Sequence, residues 1–224
     1  MKTPAAVFVL FASLTLGVVG CGGGGYASSA AAQTLKSAAA PQQPFNIASK
    51  TLTAMSMGNT YTATYSETPN SGTTTFNGQM ASSSNITLTV LQNGTTISTE
   101  NSIAYYLTNP YSPLGVTGTS NGTAFEVIFN SIAPLPTMLT VGASGPVASG
   151  SYYTPGTNTV IGSFAETYSV VANDSVTLLL NVVVNGMVNG AQIAETVSYT
   201  VDASGNIVLL SVQVTVNGAT LTFM

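Results

Sequence analysis

From about Phe45 onward, apolar and polar residues alternate along the chain in short runs. Tyr61, Ala63 and Tyr65 alternate with Thr60, Thr62 and Thr64; Ile86, Leu88 and Val90 alternate with Asn85, Thr87 and Thr89. Phe125, Val127 and Phe129 fall on the face opposite Glu126 and Asn130. A period of two puts each set on one side of an extended chain, so these runs predict half-buried antiparallel strands. Asn93-Gly94, between SNITLTVLQ and TTISTEN, predicts a hairpin turn in which both central residues take positive φ.

The pattern is most regular toward the end of the chain. Strands are expected over Val160 to Val171, Val176 to Val184, Ala191 to Val201, Ile207 to Val216 and Leu221 to Phe223. The joins carry Asn173-Asp174, Asn185-Gly186 or Asn189-Gly190, Ser204-Gly205 and Asn217-Gly218. VTLLLNVVV is apolar on both faces and predicts a central strand covered on both sides. Ile193, Glu195, Val197, Tyr199 and Val201 keep one face while Thr196, Ser198 and Thr200 keep the other. Several long meandering strands must curl or pack on a second sheet to hide an apolar face. The expectation is an all-β single domain, its antiparallel, meander-rich sheets curled into a barrel-like or sandwich architecture.

Prolines and glycines interrupt the pattern at Asn109 to Pro113 and between Ala133 and Asn158. These stretches predict the longest loops, the most plausible place for binding. The domain, residues 45–224, then divides into sub-halves 45–130 and 159–224 joined by an irregular 131–158. Tyr61 to Ser66 and Phe164 to Ser169 share an aromatic, two spacers and Thr-Tyr-Ser, a short internal echo.

Before residue 45 the pattern is of another kind. Lys2 precedes an apolar run from Ala5 to Leu16, too short for the roughly 20 residues of a membrane span, which predicts an export signal over residues 1–20. Val18-Val19-Gly20-Cys21 resembles the lipobox of bacterial lipoproteins. The resemblance covers residues 1–21 and implies cleavage before Cys21 and its acylation, by palmitate among other chains, with the membrane as partner. Two or three chains on one cysteine give stable anchoring where a single chain does not. Gly22 is not the Asp that resembles an inner-membrane retention signal, so the implied address is the outer membrane. The remainder of 21–44, rich in Gly, Ala, Ser, Gln and Pro, reads as a flexible tether.

Composition narrows the chemistry. Charged residues make up 4% of the 224, the net charge is −4, and Lys2, Lys36 and Lys50 are the only cations. No basic patch exists to meet nucleic acid. His, Arg and Trp are absent, which closes the Ser-His-Asp triad, His-liganded zinc and the arginine phosphate clamp. Cys21 has no second cysteine to pair with.

Carboxylates remain. A pair of them runs glycoside hydrolysis without histidine, and Glu126, Glu166 and Glu195 lie in expected strands. Read singly, each is a solvent-facing strand position. Asp174 and Asp202 read as turn residues, since Asp202 to Asn206 lacks the repeated carboxylates of a calcium loop. Neither a metal site, a cofactor nor a catalytic set is predicted. Tyrosines form the more pointed cluster: Tyr105, Tyr106 and Tyr111, with Tyr152 and Tyr153, beside the irregular middle. Tyrosine offers contact area at low entropic cost, although adjacent residues in a strand point to opposite faces.

Three functions follow in order. The first is a non-catalytic binding or structural envelope lipoprotein, partnered by a small apolar ligand, a glycan or an envelope protein. The second is a surface adhesin or matrix protein, suggested by the charge-poor Thr/Asn/Gly composition and by strand edges with few lysines. The third is a carboxylate-dependent glycoside hydrolase. A membrane-spanning barrel is a poor fit, because Thr-rich stretches such as Gly72 to Phe76 lack lipid-facing alternation.

Overall fold

The computed structural model describes residues 34–41, 49–108 and 111–224. Every regular element among them is a strand: β1 (Ser37–Ala39), β2 (Ser49–Ser56), β3 (Asn59–Pro69), β4 (Thr74–Phe76), β5 (Gln79–Gln92), β6 (Thr95–Thr108), β7 (Tyr111–Ser120), β8 (Thr123–Ile132), β9 (Met138–Thr140), β10 (Ser144–Tyr153), β11 (Val160–Ala172), β12 (Thr177–Val188), β13 (Ala191–Asp202), β14 (Ile207–Val216) and β15 (Ala219–Phe223). The main sheet runs β15-β14-β13-β12-β11-β10-β8-β7-β6-β5-β3-β2, with every pair antiparallel. Its two outer strands meet. Thr53 and Met224 exchange both backbone hydrogen bonds, at 2.8 and 2.9 Å, so the sheet curls into a nearly closed barrel. Of the two architectures that the alternation allows, the chain takes the barrel.

The expected strands of the last third are found with shifts of a few residues. Asn189-Gly190 makes the β12–β13 turn, while Asn185-Gly186 lies inside β12. β12 is not covered on both sides. Leu178, Leu180, Val182 and Val184 are buried in the barrel, whereas Leu179 and Val183 on the outer wall are half-buried. A single curved sheet has no second layer, so those two are shielded only by in-register neighbours such as Val171, Thr200 and Thr196.

Because consecutive strands alternate direction, their joins fall alternately at two ends. At one end sit Met57-Gly58, Asn93-Gly94, Asn121-Gly122, Asn189-Gly190 and Asn217-Gly218, each with positive φ at both residues. Asparagine and glycine tolerate that region best, and its twist matches the strands it joins. Three of these asparagines do more than turn. Asn93, Asn121 and Asn217 accept, through Oδ1, the backbone N–H of Thr60, Thr99 and Gln192, at 2.9 to 3.1 Å. Their own N–H groups donate to the carbonyls of the same three residues. Each turn is thereby stitched to the strand beside it.

The other end carries most of the longer joins, although the six residues between β10 and β11 lie at the first end, and both expected loops contain strand residues: Tyr111 to Pro113 open β7. Residues 131–158 hold β9 and all of β10, which pairs with β8 and β11 and makes the two sub-halves one continuous sheet. Pro146 is accommodated at a register irregularity, where its missing N–H breaks no regular ladder. β1 lies within the stretch expected to be tether and pairs with β9. Leu35 and Ala39 donate backbone hydrogen bonds to Asp174 and Ala203, and Ala38 and Leu139 are fully buried. Burial of these apolar side chains over the barrel mouth offsets the entropy of ordering the strand.

The outer wall is paved with hydroxyls and amides that pair across strands, among them Thr51–Thr64, Asn130–Ser151, Ser131–Ser149, Asn181–Ser198 and Thr215–Thr220. The inner wall holds an apolar cluster that runs from Leu52 to Phe223, with buried Ser84, Ser98, Ser102 and Ser120 on the side of β5 to β7.

Candidate functional site

Inside that apolar cluster stand four carboxyl groups. Glu67 on β3, Glu100 on β6, Glu166 on β11 and Glu195 on β13 share the inward parity of Tyr65, Ala104, Phe164 and Tyr199 on the same strands. Their exposures are 5, 1, 3 and 0%. The expectation that Glu166 and Glu195 each face solvent is therefore wrong. Strand parity, once fixed by the neighbouring aromatic and β-branched residues, carries the carboxylates inward with them. Glu126 keeps the outer face, in register with Tyr153 and apart from the other acids.

The acids are placed by the sheet. Glu166 pairs with Val184, and Val184 with Glu195, so the two glutamates stand in one register row on either side of a valine. Glu100 lies in register between Leu88 and Ser120, and Leu88 pairs with Tyr65. Phe164, next along β11 on the inward side, pairs with Gly150 and Gly186. A side chain on Gly150 would strike the Phe164 ring and the carbonyl of Ile128, so only glycine admits the ring there. Phe164 in turn meets Phe129 and Tyr152 edge-on, at 5.4 and 5.6 Å.

Few polar partners reach the four acids. The Tyr65 hydroxyl donates to Glu67 Oε2 at 2.9 Å, and Ser102 reaches Glu100 Oε1 at 3.4 Å. Both oxygens of Glu195, and Oε2 of Glu100, have no hydrogen-bond partner among the described residues. Burial disfavours the charged form. It raises Glu67 despite the opposing bonds from Tyr65 and Ser84, and pushes Glu100 up to about 8 despite the bond from Ser102. Glu166 is likewise pushed up to about 8, and Glu195, buried and beside Glu166 and Glu100, is held well above the carboxylate range. Burial and the neighbouring glutamates also raise Tyr152 and Tyr199, as burial and Glu67 raise Tyr65. At neutral pH Glu100, Glu166 and Glu195 therefore favour the protonated form, while Glu67 is shifted in the same direction. No group of three or more His, Cys, Asp or Glu among the described residues is arranged to hold a metal ion.

The five tyrosines do not make one surface. Tyr106 turns inward, with its hydroxyl 3.1 Å from Ser84 Oγ, and lies 5.8 Å from the ring of Tyr111. Tyr105 is on the outer wall, stacked at 4.4 Å on Phe76 and hydrogen-bonded to Thr117 Oγ1. Tyr152 is buried and Tyr153 faces out. Tyr105, Tyr106 and Tyr111 sit at the end with the longer joins; Tyr152 and Tyr153 sit at the opposite end. Cys21 lies outside the described residues.

Two of the inward acids, Glu67 and Glu100, escape a sequence reading. Glu67 follows Ala63 and Tyr65 at the same parity and was recoverable; Glu100 sits between Ser98 and Ser102, which give no apolar signal. No family model matches the chain, and no curated protein or solved structure matches it either.

Proposed function

We propose that this chain is a lipid-tethered protein of the cell envelope, held at the outer membrane through Cys21. Its barrel performs no chemistry and acts as a binding or structural module. One observation carries the non-catalytic part of the reading. Among the described residues, the carboxyl groups that share the barrel interior are at most 5% exposed, where Leu178, Leu180, Tyr199 and Val201 are at 0%. A glycoside must lie between two carboxylates with a water or a sugar ring in reach, and a closed, packed wall gives it no approach. The same packing leaves a small apolar ligand no room beside these side chains. Contacts with a glycan or an envelope protein then fall to the outer wall, whose hydroxyls and amides suit hydrogen-bonded recognition.

That wall also favours a second reading, a surface adhesin. The contact between β15 and β2 argues against the edge-to-edge version of it, because the strands that would template self-association face each other. Two measurements test the proposal. Cys21→Ser is expected to abolish palmitate labelling and move the protein from the membrane to the soluble fraction; an unlabelled wild type still bound to membranes overturns the anchor. Glu166→Gln with Glu195→Gln is expected to leave binding to isolated envelopes unchanged. Glycan-cleaving activity that this pair abolishes would overturn the non-catalytic reading.

A further inference from the structure

Two of the four interior acids flank the weakest junction of the wall, Glu195 on the third strand from it on one side and Glu67 on the second strand on the other. β15 has five residues and meets β2 through the Thr53–Met224 pair. On one side of that seam, Glu195 stands in the register row Glu195, Val214, Leu221, which ends on β15 itself. On the other side β2 pairs with β3, the strand that holds Tyr65 and Glu67. We propose that the barrel interior is a pH-sensitive latch: protons on Glu67, Glu100, Glu166 and Glu195 keep the wall closed, and alkaline surroundings that remove them release the β15–β2 seam.

Every titratable group that faces the cluster can be named. β3 contributes Tyr61, Tyr65 and Glu67; β6 contributes Glu100 and Tyr106; β7 contributes Tyr111, beside Tyr106; β10 contributes Tyr152. β11 contributes Glu166 and Tyr168, and β13 contributes Glu195 and Tyr199. β5, β8, β12, β14 and β15 turn no ionisable side chain inward. The one described cation on that face is Lys50 of β2, half-buried and in register with Tyr65. One positive charge opposes four acids, three of which lie on β6, β11 and β13, away from it. Among cations, the 0% exposure of Glu195 leaves room only for a proton. Once ionised, the carboxylates repel one another in a medium that screens poorly, and each demands water that a packed interior cannot supply.

Hydrogen–deuterium exchange of the purified barrel at pH 6 and pH 9, corrected for the intrinsic rate, tests this. Peptides covering 49–56 and 219–224 are expected to lose protection at pH 9 by at least tenfold more than those of β5 to β7, and return to pH 6 restores it. Near-ultraviolet tyrosine dichroism is expected to fall together with that loss, while the far-ultraviolet strand signal is kept. Glu195→Gln mimics the protonated acid and is expected to reduce the alkaline loss; Glu166→Gln serves the same purpose if the first variant folds poorly. Glu126→Gln, on the outer wall, is expected to change nothing. Unchanged protection at the seam up to pH 9, loss spread evenly over all strands, or a seam loss that both interior variants leave intact would each overturn the latch.

Discussion

Glu166 and Glu195 face into the barrel from register positions that share one neighbour, Val184. Two acids in one row, with two more across the interior and one half-buried lysine, make the barrel's stability depend on pH in an uncommon direction.

Below the usual carboxylate value of 4.5, folded and unfolded chains both hold these protons. As pH rises, the unfolded chain releases them first, so each group with a raised folded value weakens the fold by about 1.4 kcal/mol per pH unit. The loss is complete for Glu100 and Glu166 near 8, where the folded groups ionise too. Asp202 acts at the other end of the scale. Burial pushes its carboxyl up, but bonds from Asn206 and from the Ser204 and Gly205 backbone outweigh that and hold it below the usual 3.8. Its contribution is lost as pH falls through the folded value. Urea midpoints are therefore expected to peak near pH 4 to 5 and to be markedly lower at pH 8. A plateau from pH 5 to 8 would contradict this.

Gly150→Ala is expected to destabilise by about 1–3 kcal/mol, the cost of pushing an aromatic ring out of a packed site. Its Cβ would strike Phe164, which Tyr152 and Phe129 hold in place. Gly145→Ala offers a control, since its Cβ would meet only the Tyr168 ring at 3.1 Å. Thermal melts of the two variants at pH 5 separate the positions.

Asn121→Ala removes the acceptor for the Thr99 N–H and places alanine at a φ of 49°. The combined loss is expected to be about 1–2 kcal/mol, from a lost side-chain acceptor and a left-handed residue. Asn121→Gly relieves the backbone strain and keeps only the first cost. A larger loss in the alanine variant, measured by chemical denaturation, checks the division.

Tyr106→Phe leaves the Ser84 hydroxyl without the phenol it meets at 3.1 Å, in a site where both residues are buried. A loss of about 0.5–1.5 kcal/mol is expected. Tyr153→Phe, on the outer wall, is expected to fall within about 0.5 kcal/mol of wild type.

Much of this fold was legible in the alternation. Ile193, Glu195, Val197, Tyr199 and Val201 were one face on the page and are one face in the barrel. What misled was the habit of sending carboxylates to water: parity already placed Glu195 among apolar residues and Glu166 between Phe164 and Tyr168. Glu100 had no such flank, so only the register that sets it beside Leu88 reveals its direction. β1 was hidden because Ala38 and Ala39 sit in a low-complexity run, and the contact that orders them comes from β9, about a hundred residues on. The tyrosine pairs illustrate the opposite case. Adjacency alone required that Tyr105 and Tyr106 part company, and they do.

The small sheet over the barrel mouth has a mechanical consequence. A pull transmitted along the chain from the side before Leu35 arrives first at β1, where Leu35, Lys36, Ala39 and Ala40 make backbone bonds to Asp174, Val141, Ala203 and Thr137. Those four bonds load before any rung of the main wall does. β1 is thus a fuse: under tension it gives way while the twelve strands behind it stay at rest.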